Sequence, residues 1–152
     1  MTNANQLDAA DKAIIAELQV EGRMPYAKLA PLVGLSEAAT RQRVNRLLER
    51  GVMQVVAVTD PETVGFRHQA LIGLHVDANT GAISDDLAKI EAVDYVVITA
   101  GRYDILVEVF ATDVRHFLEV VEEQIRPVNG VRDLEILTYL NLVKQTYNWG
   151  IR

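Results

Sequence analysis

The spacing of the apolar residues changes once along this 152-residue chain, between residues 52 and 69. Before that stretch, apolar residues recur every three or four positions, which is typical of helices that bury one face. After it, β-rich runs and helical patterns alternate in the order strand, helix, strand, strand, helix, strand. A chain with two such patterns is predicted to fold as two units of different architecture.

Three short helices are predicted before residue 52. The first spans residues 7–21 and stops at Gly22, and the second spans 25–34, where Pro31 is expected to shorten or distort it. Ser36 is well placed to cap the third helix. The inward face of that helix is predicted to carry Thr40, Val44, Leu47, Leu48 and Gly51. Because a glycine turn joins the last two helices, the arrangement matches a helix-turn-helix.

The run VMQVVAVTD, residues 52–60, is predicted to form a β-strand after the third helix, which would make the first unit winged-helix-like. Asp60-Pro61 starts a turn, and residues 60–68 are the best candidate for a linker. The expected organisation is therefore a helix-turn-helix domain over residues 1–59, the linker over 60–68 and a second domain over 69–152.

The second domain is predicted to be an α+β fold. Strands are expected at residues 70–76, 95–99, 105–110 and 134–143, with one helix around residues 83–90 and another over 114–125. This βαββαβ order is the ferredoxin-like unit. Its helices lie on one face of the sheet, so the other face must meet something apolar, and a second copy of the chain is the simplest partner.

The third helix is rich in arginine although the chain has a formal charge of -6. Arg41, Arg43, Arg46 and Arg50 fall within ten positions, whereas residues 66–152 hold eight basic and thirteen acidic residues. A solvated face paired with nearby glutamates is one interpretation of such a cluster. Behind a capped helix and a glycine turn, a surface that meets the phosphate backbone of DNA is favoured.

A helix placed in the major groove reads bases with side chains that offer paired hydrogen bonds. We expect Gln42, Asn45 and Arg46 to contact bases. Phosphate contacts are expected from Arg41, Arg43 and Arg50, which lie to the sides. Ser36 and Ala38 complete the expected DNA-binding set. On this view Arg46→Ala relaxes base preference at one position by ~1–3 kcal/mol, whereas Arg43→Ala weakens binding to all sequences alike.

Several segments together resemble the Lrp/AsnC family of transcription regulators. They are LDAADKAIIAELQVEGRMPYAKLAPLVGLSEAATRQRVNRLLERGV, the turn DPETVG, GRYD at 101–104, GV at 130–131 and VKQ at 143–145. The resemblance covers essentially the whole chain. It implies an N-terminal domain that binds double-stranded DNA and a C-terminal ligand-sensing domain, called RAM, that dimerises and assembles further, commonly into tetramers of dimers. Proteins of this kind usually respond to an amino acid or a related metabolite.

The GRYD segment separates two predicted strands, and its simplest interpretation is a hairpin turn. The resemblance implies instead that it lies at the dimer interface, where effector binds. The expected effector-binding residues are Thr99, Gly101, Arg102, Tyr103, Asp104, Leu134, Glu135 and Ile136. A carboxylate of Asp104 or Glu135 would receive an ammonium group, and backbone amides near Gly101 a carboxylate.

Leu134 and Ile136 stand where relatives tend to carry small polar residues at alternate positions of the last strand. Alternate residues share one face of a sheet, so the pocket wall is expected to be more apolar than usual. An apolar effector, such as a branched-chain amino acid or phenylalanine, fits that expectation. An apolar pocket wall is also consistent with a protein that binds no effector. The alternative function is then that of an architectural DNA-binding protein.

An enzyme is not expected, although Arg102, Tyr103, Asp104 and His75 are possible acid-base groups. The chain has no cysteine, only two serines and no phosphate-binding glycine loop. Its three histidines lack metal-ligand spacing, so neither a cofactor nor a metal is expected. No apolar run reaches the ~20 residues that span a bilayer, and residues 1–12 do not resemble a signal peptide. We therefore expect a cytoplasmic protein with no membrane partner.

Overall fold

The computed structural model describes residues 7–77 and 79–147. These residues form two compact units, one made of residues 7–58 with 145–147 and the other of residues 59–144. Each unit has its own apolar core. The domain boundaries expected at residues 59 and 68 stay a prediction. Within the described ranges, no helix is both long enough and apolar enough to cross a membrane.

The first unit contains the three predicted helices, α1 (Ala9–Val20), α2 (Tyr26–Leu32) and α3 (Glu37–Glu49). Pro31 lies in the last turn of α2, where the helix ends after seven residues. Gly34 has a φ of 68°, a left-handed conformation that lets the chain turn sharply into α3. The buried core residues are Ile14, Ile15, Met24, Leu29, Val44 and Leu47.

Residues 52–60 do not form the predicted strand. A strand needs a neighbour for its backbone hydrogen bonds, and the first unit offers no other strand among its described residues. Val55, Val56 and Val58 are consequently exposed. The predicted inward face of α3 is also corrected at its end, because Leu48 is 37% exposed and Gly51 lies beyond the helix on the surface.

The second unit is a four-stranded antiparallel sheet with the strand order β2-β3-β1-β4. Its elements follow the predicted βαββαβ order, so the α+β fold class and the ferredoxin-like arrangement are confirmed. They are β1 (His68–Val76), α4 (Thr80–Leu87), β2 (Val93–Ile98), β3 (Ile105–Ala111), α5 (Val114–Glu119), a π-helical continuation (Val120–Ile125) and β4 (Val131–Thr138).

The two faces of this sheet differ in burial. Alternate residues of β1 and β3, such as Ile72 and Val107, are buried in the core together with residues of α4 and α5. The opposite surface, which we call the open face, keeps several apolar side chains partly exposed. From the strand register it includes Gln69, Leu71, Gly73, His75, Tyr95, Val97, Leu106, Glu108, Phe110, Asp133, Glu135 and Leu137.

The last predicted strand is shifted. The last strand was expected over residues 134–143 but runs from Val131 to Thr138. Its partner β1 begins at His68, and the last ladder hydrogen bond joins the Tyr139 amide to Gln69, so later residues have no strand to pair with. The helix predicted over residues 114–125 is present over those residues, as α5 and its π-helical continuation from Val120.

Candidate nucleic-acid interface and small-molecule site

The start of α3 is fixed by local hydrogen bonds. Ser36 Oγ accepts from the Ala39 amide at 3.2 Å, which confirms Ser36 as the N-cap. The Thr40 hydroxyl is fully buried and donates to the Ser36 carbonyl at 3.0 Å. These contacts and the apolar packing of Val44 and Leu47 leave one face of α3 in solvent.

That outward face lines an open groove of about 640 Å³. Four of the predicted DNA-binding residues meet there, Gln42, Arg43, Asn45 and Arg46. Arg41 lies apart from them, because its guanidinium pairs with Glu37 at 3.0 Å and sits 5.1 Å from the centre of the Tyr26 ring. The groove has the polar donors that a base-reading surface needs.

Two of these arginines are tied to the start of α1. Arg43 Nη1 donates to Asp8 at 2.6 Å and to Asp11 at 2.8 Å, and Arg46 Nη2 donates to Asp11 at 3.1 Å. The Asp11 side chain is only 3% exposed, so it is a buried carboxylate paired with two guanidinium groups. We call these four residues the Asp11 cluster.

The Asp11 cluster also ties the first helix to the third. Asp8 and Asp11 form a capping box at the start of α1. The Asp11 amide and then the Arg43 guanidinium lower the pKa of Asp8, while Asp8 and Asp11 raise the pKa of Arg43. Sequence analysis missed both aspartates, since their spacing of three residues indicates a helix cap but not a partner 32 or 35 residues away.

In the second unit, the 99–104 loop folds back over the open face. The Tyr103 ring covers Gly73, and a Cβ built at that glycine would lie 2.5 Å from the ring. The Tyr103 hydroxyl donates to Glu135 at 2.5 Å, and the Thr99 hydroxyl donates to the Tyr103 carbonyl at 2.5 Å. The hydrogen bond to Glu135, more than burial, raises the pKa of Tyr103.

Both carboxylates expected to receive an ammonium group already have protein donors. Asp104 accepts from the Val76 amide at 2.9 Å, and its carboxylate is 3.8 Å from His75 Nδ1. Glu135 accepts from Arg102 at 2.9 Å as well as from Tyr103. Residues 99–104 thus form the turn between the antiparallel strands β2 and β3, as the hairpin interpretation predicted. Charged side chains lie around this turn.

The structure brings together six of the eight predicted effector residues and separates the other two. Thr99, Gly101, Arg102, Tyr103, Asp104 and Glu135 form the loop cluster. Leu134 and Ile136 pair with Leu74 and Ile72 of β1, on the face that carries the helices, and Leu134 packs against the core.

Sequence analysis missed Gly73, although an isolated glycine within a strand pattern is a signal for close approach. No trio of acidic or histidine side chains in the described part of the chain is arranged to hold a metal ion.

Comparison with known protein families gives two matches. Residues 7–48 match the AsnC-type helix-turn-helix domain, and residues 66–152 match a C-terminal dimeric alpha+beta barrel domain. The two matches cover the helical unit and the sheet separately, in the order in which the structure presents them.

Individual proteins match along nearly the whole chain. An HTH-type transcriptional regulator from Pyrococcus abyssi is 32% identical over 147 residues, which is 95% of this chain and 90% of that protein. The leucine response regulatory protein LrpA of Mycobacterium tuberculosis aligns with a TM-score of 0.81 at 30% identity, over 91% of this chain and 96% of that one. The regulator NMB0573 of Neisseria meningitidis, solved in complex with L-Met, aligns with a TM-score of 0.79 at 28% identity, over 93% and 94% of the two chains.

Proposed function

We propose, since the chain belongs to the Lrp/AsnC family of transcription regulators, that it binds specific DNA sequences and responds to an amino acid or a related small metabolite. The protein is a transcription regulator with a helix-turn-helix DNA-binding domain, and members of its family are regulators rather than enzymes. The observation that carries the specific part of the proposal is the outward groove of α3, where amide and guanidinium donors lie side by side.

We assign base contacts to Gln42, Asn45 and Arg46, because these side chains share the groove on the exposed face of α3. Arg41 and Arg50 flank that face and are assigned to phosphates. Arg43 forms ion pairs with Asp8 and Asp11, so we assign it a role in packing α3 against α1 in place of the expected phosphate contact. Ser36 and Ala38 lie at the helix start, where Ser36 orients α3 and Ala38 allows close approach.

We assign effector binding to the loop cluster at the edge of the open face. Its charged rim, made of Arg102, Asp104 and Glu135, has both signs that a zwitterionic amino acid requires. The L-Met complex of the Neisseria regulator and the leucine response of LrpA support an apolar amino acid as the ligand class. Leu134 and Ile136 are left out of this proposed site because they lie on the other face of the sheet.

Self-association completes the proposal. The matched C-terminal domain is described as dimeric, and the open face leaves apolar side chains such as Leu106 and Phe110 partly exposed in a single chain. We propose that two open faces pack together and that four such dimers assemble. An effector that binds one assembly more tightly than another shifts the balance between them, which changes the spacing of the DNA-binding units.

The DNA part is tested by recovering sheared genomic DNA of the source organism on the protein at about 0.15 M salt, followed by sequencing. We expect enrichment of a few intergenic sites. On such a site Arg46→Ala lowers the preference for one base, whereas Arg50→Ala lowers affinity for all duplexes alike. Diffuse recovery of DNA would instead support an architectural protein.

The effector part is tested by adding each common amino acid at millimolar concentration and measuring melting temperature, elution volume and affinity for the recovered site. We expect an apolar amino acid to change all three. Asp104→Asn should abolish the response, and Asp94→Asn, on the exposed edge strand β2, should preserve it. No response to any amino acid would contradict this part of the proposal.

A further inference from the structure

The two arginines of the Asp11 cluster differ in exposure and in their contacts with the aspartates. Arg43 is 27% exposed and gives Nη1 to both aspartates, whereas Arg46 is 48% exposed and gives only Nη2 to Asp11. The Nε and Nη1 donors of Arg46 contact no protein acceptor in the described part of the chain. Arg46 therefore has one corner of its guanidinium anchored to Asp11, while its side chain lines the groove of α3.

We propose that Asp11 is a positioning residue for sequence recognition, holding Arg46 in the orientation that reads a base. The inference rests on the proposed function and adds to it a residue of α1 that does not line the groove. Asp11 suits this role because it is buried, belongs to a capping box and also accepts a hydrogen bond from Arg43 at 2.8 Å. Such an acceptor can hardly move, so it confines a long side chain that would otherwise sample many rotamers.

The charge of Asp11 adds a second effect. Because Asp11 already pairs with Arg46, less binding free energy is gained when Arg46 turns away to contact a nearby phosphate. Non-specific binding to the backbone is therefore disfavoured more than binding at the correct sequence, where Arg46 keeps its anchor. The consequence is that Asp11 increases the ratio of specific to non-specific affinity without touching DNA.

The test compares Asp11→Asn with Asp8→Asn in the full-length protein. The probe is a consensus duplex selected by the wild-type protein from a random library, and the reference is random duplex of equal length. Asp11→Asn keeps the shape of the side chain but loses the charge that anchors Arg46. Asp8→Asn is the matched control, because asparagine caps a helix as well as aspartate and Asp8 contacts Arg43 but not Arg46.

We expect Asp11→Asn to lower the ratio of consensus to random affinity about tenfold, within the range of one base contact. Affinity for random duplex should stay equal or rise, with a steeper salt dependence, because Arg46 becomes free to meet phosphate. Asp8→Asn should leave the ratio unchanged. A merely structural role of Asp11 would instead lower binding to both duplexes together.

Two further variants make the test decisive. In an Arg46→Ala background, Asp11→Asn should change the ratio no further, since it acts through Arg46. Arg46→Lys, at a half-exposed position that tolerates the change, keeps the charge but cannot present two fixed donors, and it should lower the ratio as Asp11→Asn does. It also covers the case in which Asp11→Asn fails to fold.

The inference is overturned if Asp11→Asn or Arg46→Lys keeps the wild-type ratio, if Asp8→Asn lowers it equally, or if Asp11→Asn acts undiminished without Arg46. A wild-type protein that selects no sequence from the library would overturn the proposed function itself. The two failures are therefore distinguishable.

Discussion

At the scale of single residues, Gly73 of β1 packs closely against the ring of Tyr103. The glycine has no Cβ, so the ring can lie directly on the backbone of the strand, and the Tyr103 hydroxyl then reaches Glu135. Gly73 and Glu135 are direct partners in the ladder of β1 and β4. One missing side chain therefore allows the 99–104 loop to fold over the sheet.

Gly73→Ala should destabilise the protein by about 1–3 kcal/mol, because the new methyl group displaces the ring and its hydrogen bond. Chemical unfolding monitored by circular dichroism measures the change. Gly81→Ala is the matched control, since a Cβ there meets no atom within 4 Å and alanine suits a helix better than glycine. Equal stability of the two variants would contradict this account of the loop.

Tyr139 provides a pH prediction at the same scale. Burial, then the hydrogen bond from its hydroxyl to Glu108 at 2.7 Å, raises the pKa of Tyr139 from 10.0 to about 12. The folded state favours the neutral phenol, so this contribution to stability is complete below pH 10 and is lost as the pH rises through 12. Ultraviolet titration of the phenolates should show a late-titrating tyrosine that Tyr139→Phe removes, whereas Tyr26→Phe should leave it in place.

At the scale of elements, α3 depends on its beginning more than on its length. The Ser36 cap, the turn at Gly34 and the buried Thr40 hydroxyl determine where the helix starts. The Asp11 cluster then joins its outward side to α1 over more than thirty residues of sequence. The outward face of α3 is consequently positioned by the cap at its own start and by contacts with the start of α1.

Ser36→Ala should cost about 1 kcal/mol of stability because the Ala39 amide loses its acceptor. Thermal unfolding of the full chain measures the loss. Ser36→Asn is expected to restore most of it, since asparagine caps as well as serine. If the asparagine variant is as unstable as the alanine variant, the cap is not the cause.

At the scale of the whole molecule, the open face is a sheet surface that has no second layer packed on it in a single chain. Apolar side chains on this face, such as Leu71, Leu106 and Phe110, are partly exposed in a single chain, and the matched C-terminal domain is described as dimeric. Sheets that carry helices on one side only bury the other side against a second layer. Another copy of the same sheet supplies such a layer.

Leu106→Lys should dissociate the protein, because it places a charge in the middle of the open face. Sedimentation measures the change in mass. Leu118→Lys is the control, since Leu118 is 51% exposed on α5 on the helical side of the sheet. Retention of the native mass by Leu106→Lys, or its loss by Leu118→Lys, would contradict the proposed use of this face.

The sequence by itself determined the features that depend on local spacing. The three helices, the Ser36 cap, the βαββαβ order and the hairpin at residues 99–104 all follow from periods and turn residues a few positions apart. The predicted strand over residues 52–60 fails for the complementary reason, because β-propensity is local but strand pairing requires a partner.

Only the tertiary structure decided what depends on distant partners or on register. The pairing of Asp11 with Arg43 and Arg46 joins residues 32 and 35 positions apart, and no local pattern encodes it. Leu134 and Ile136 lie on the face opposite Glu135, and a shift of one residue in the register with β1 would have exchanged the two faces. Register is a property of the assembled sheet, so the composition of the candidate effector site became known only from the fold.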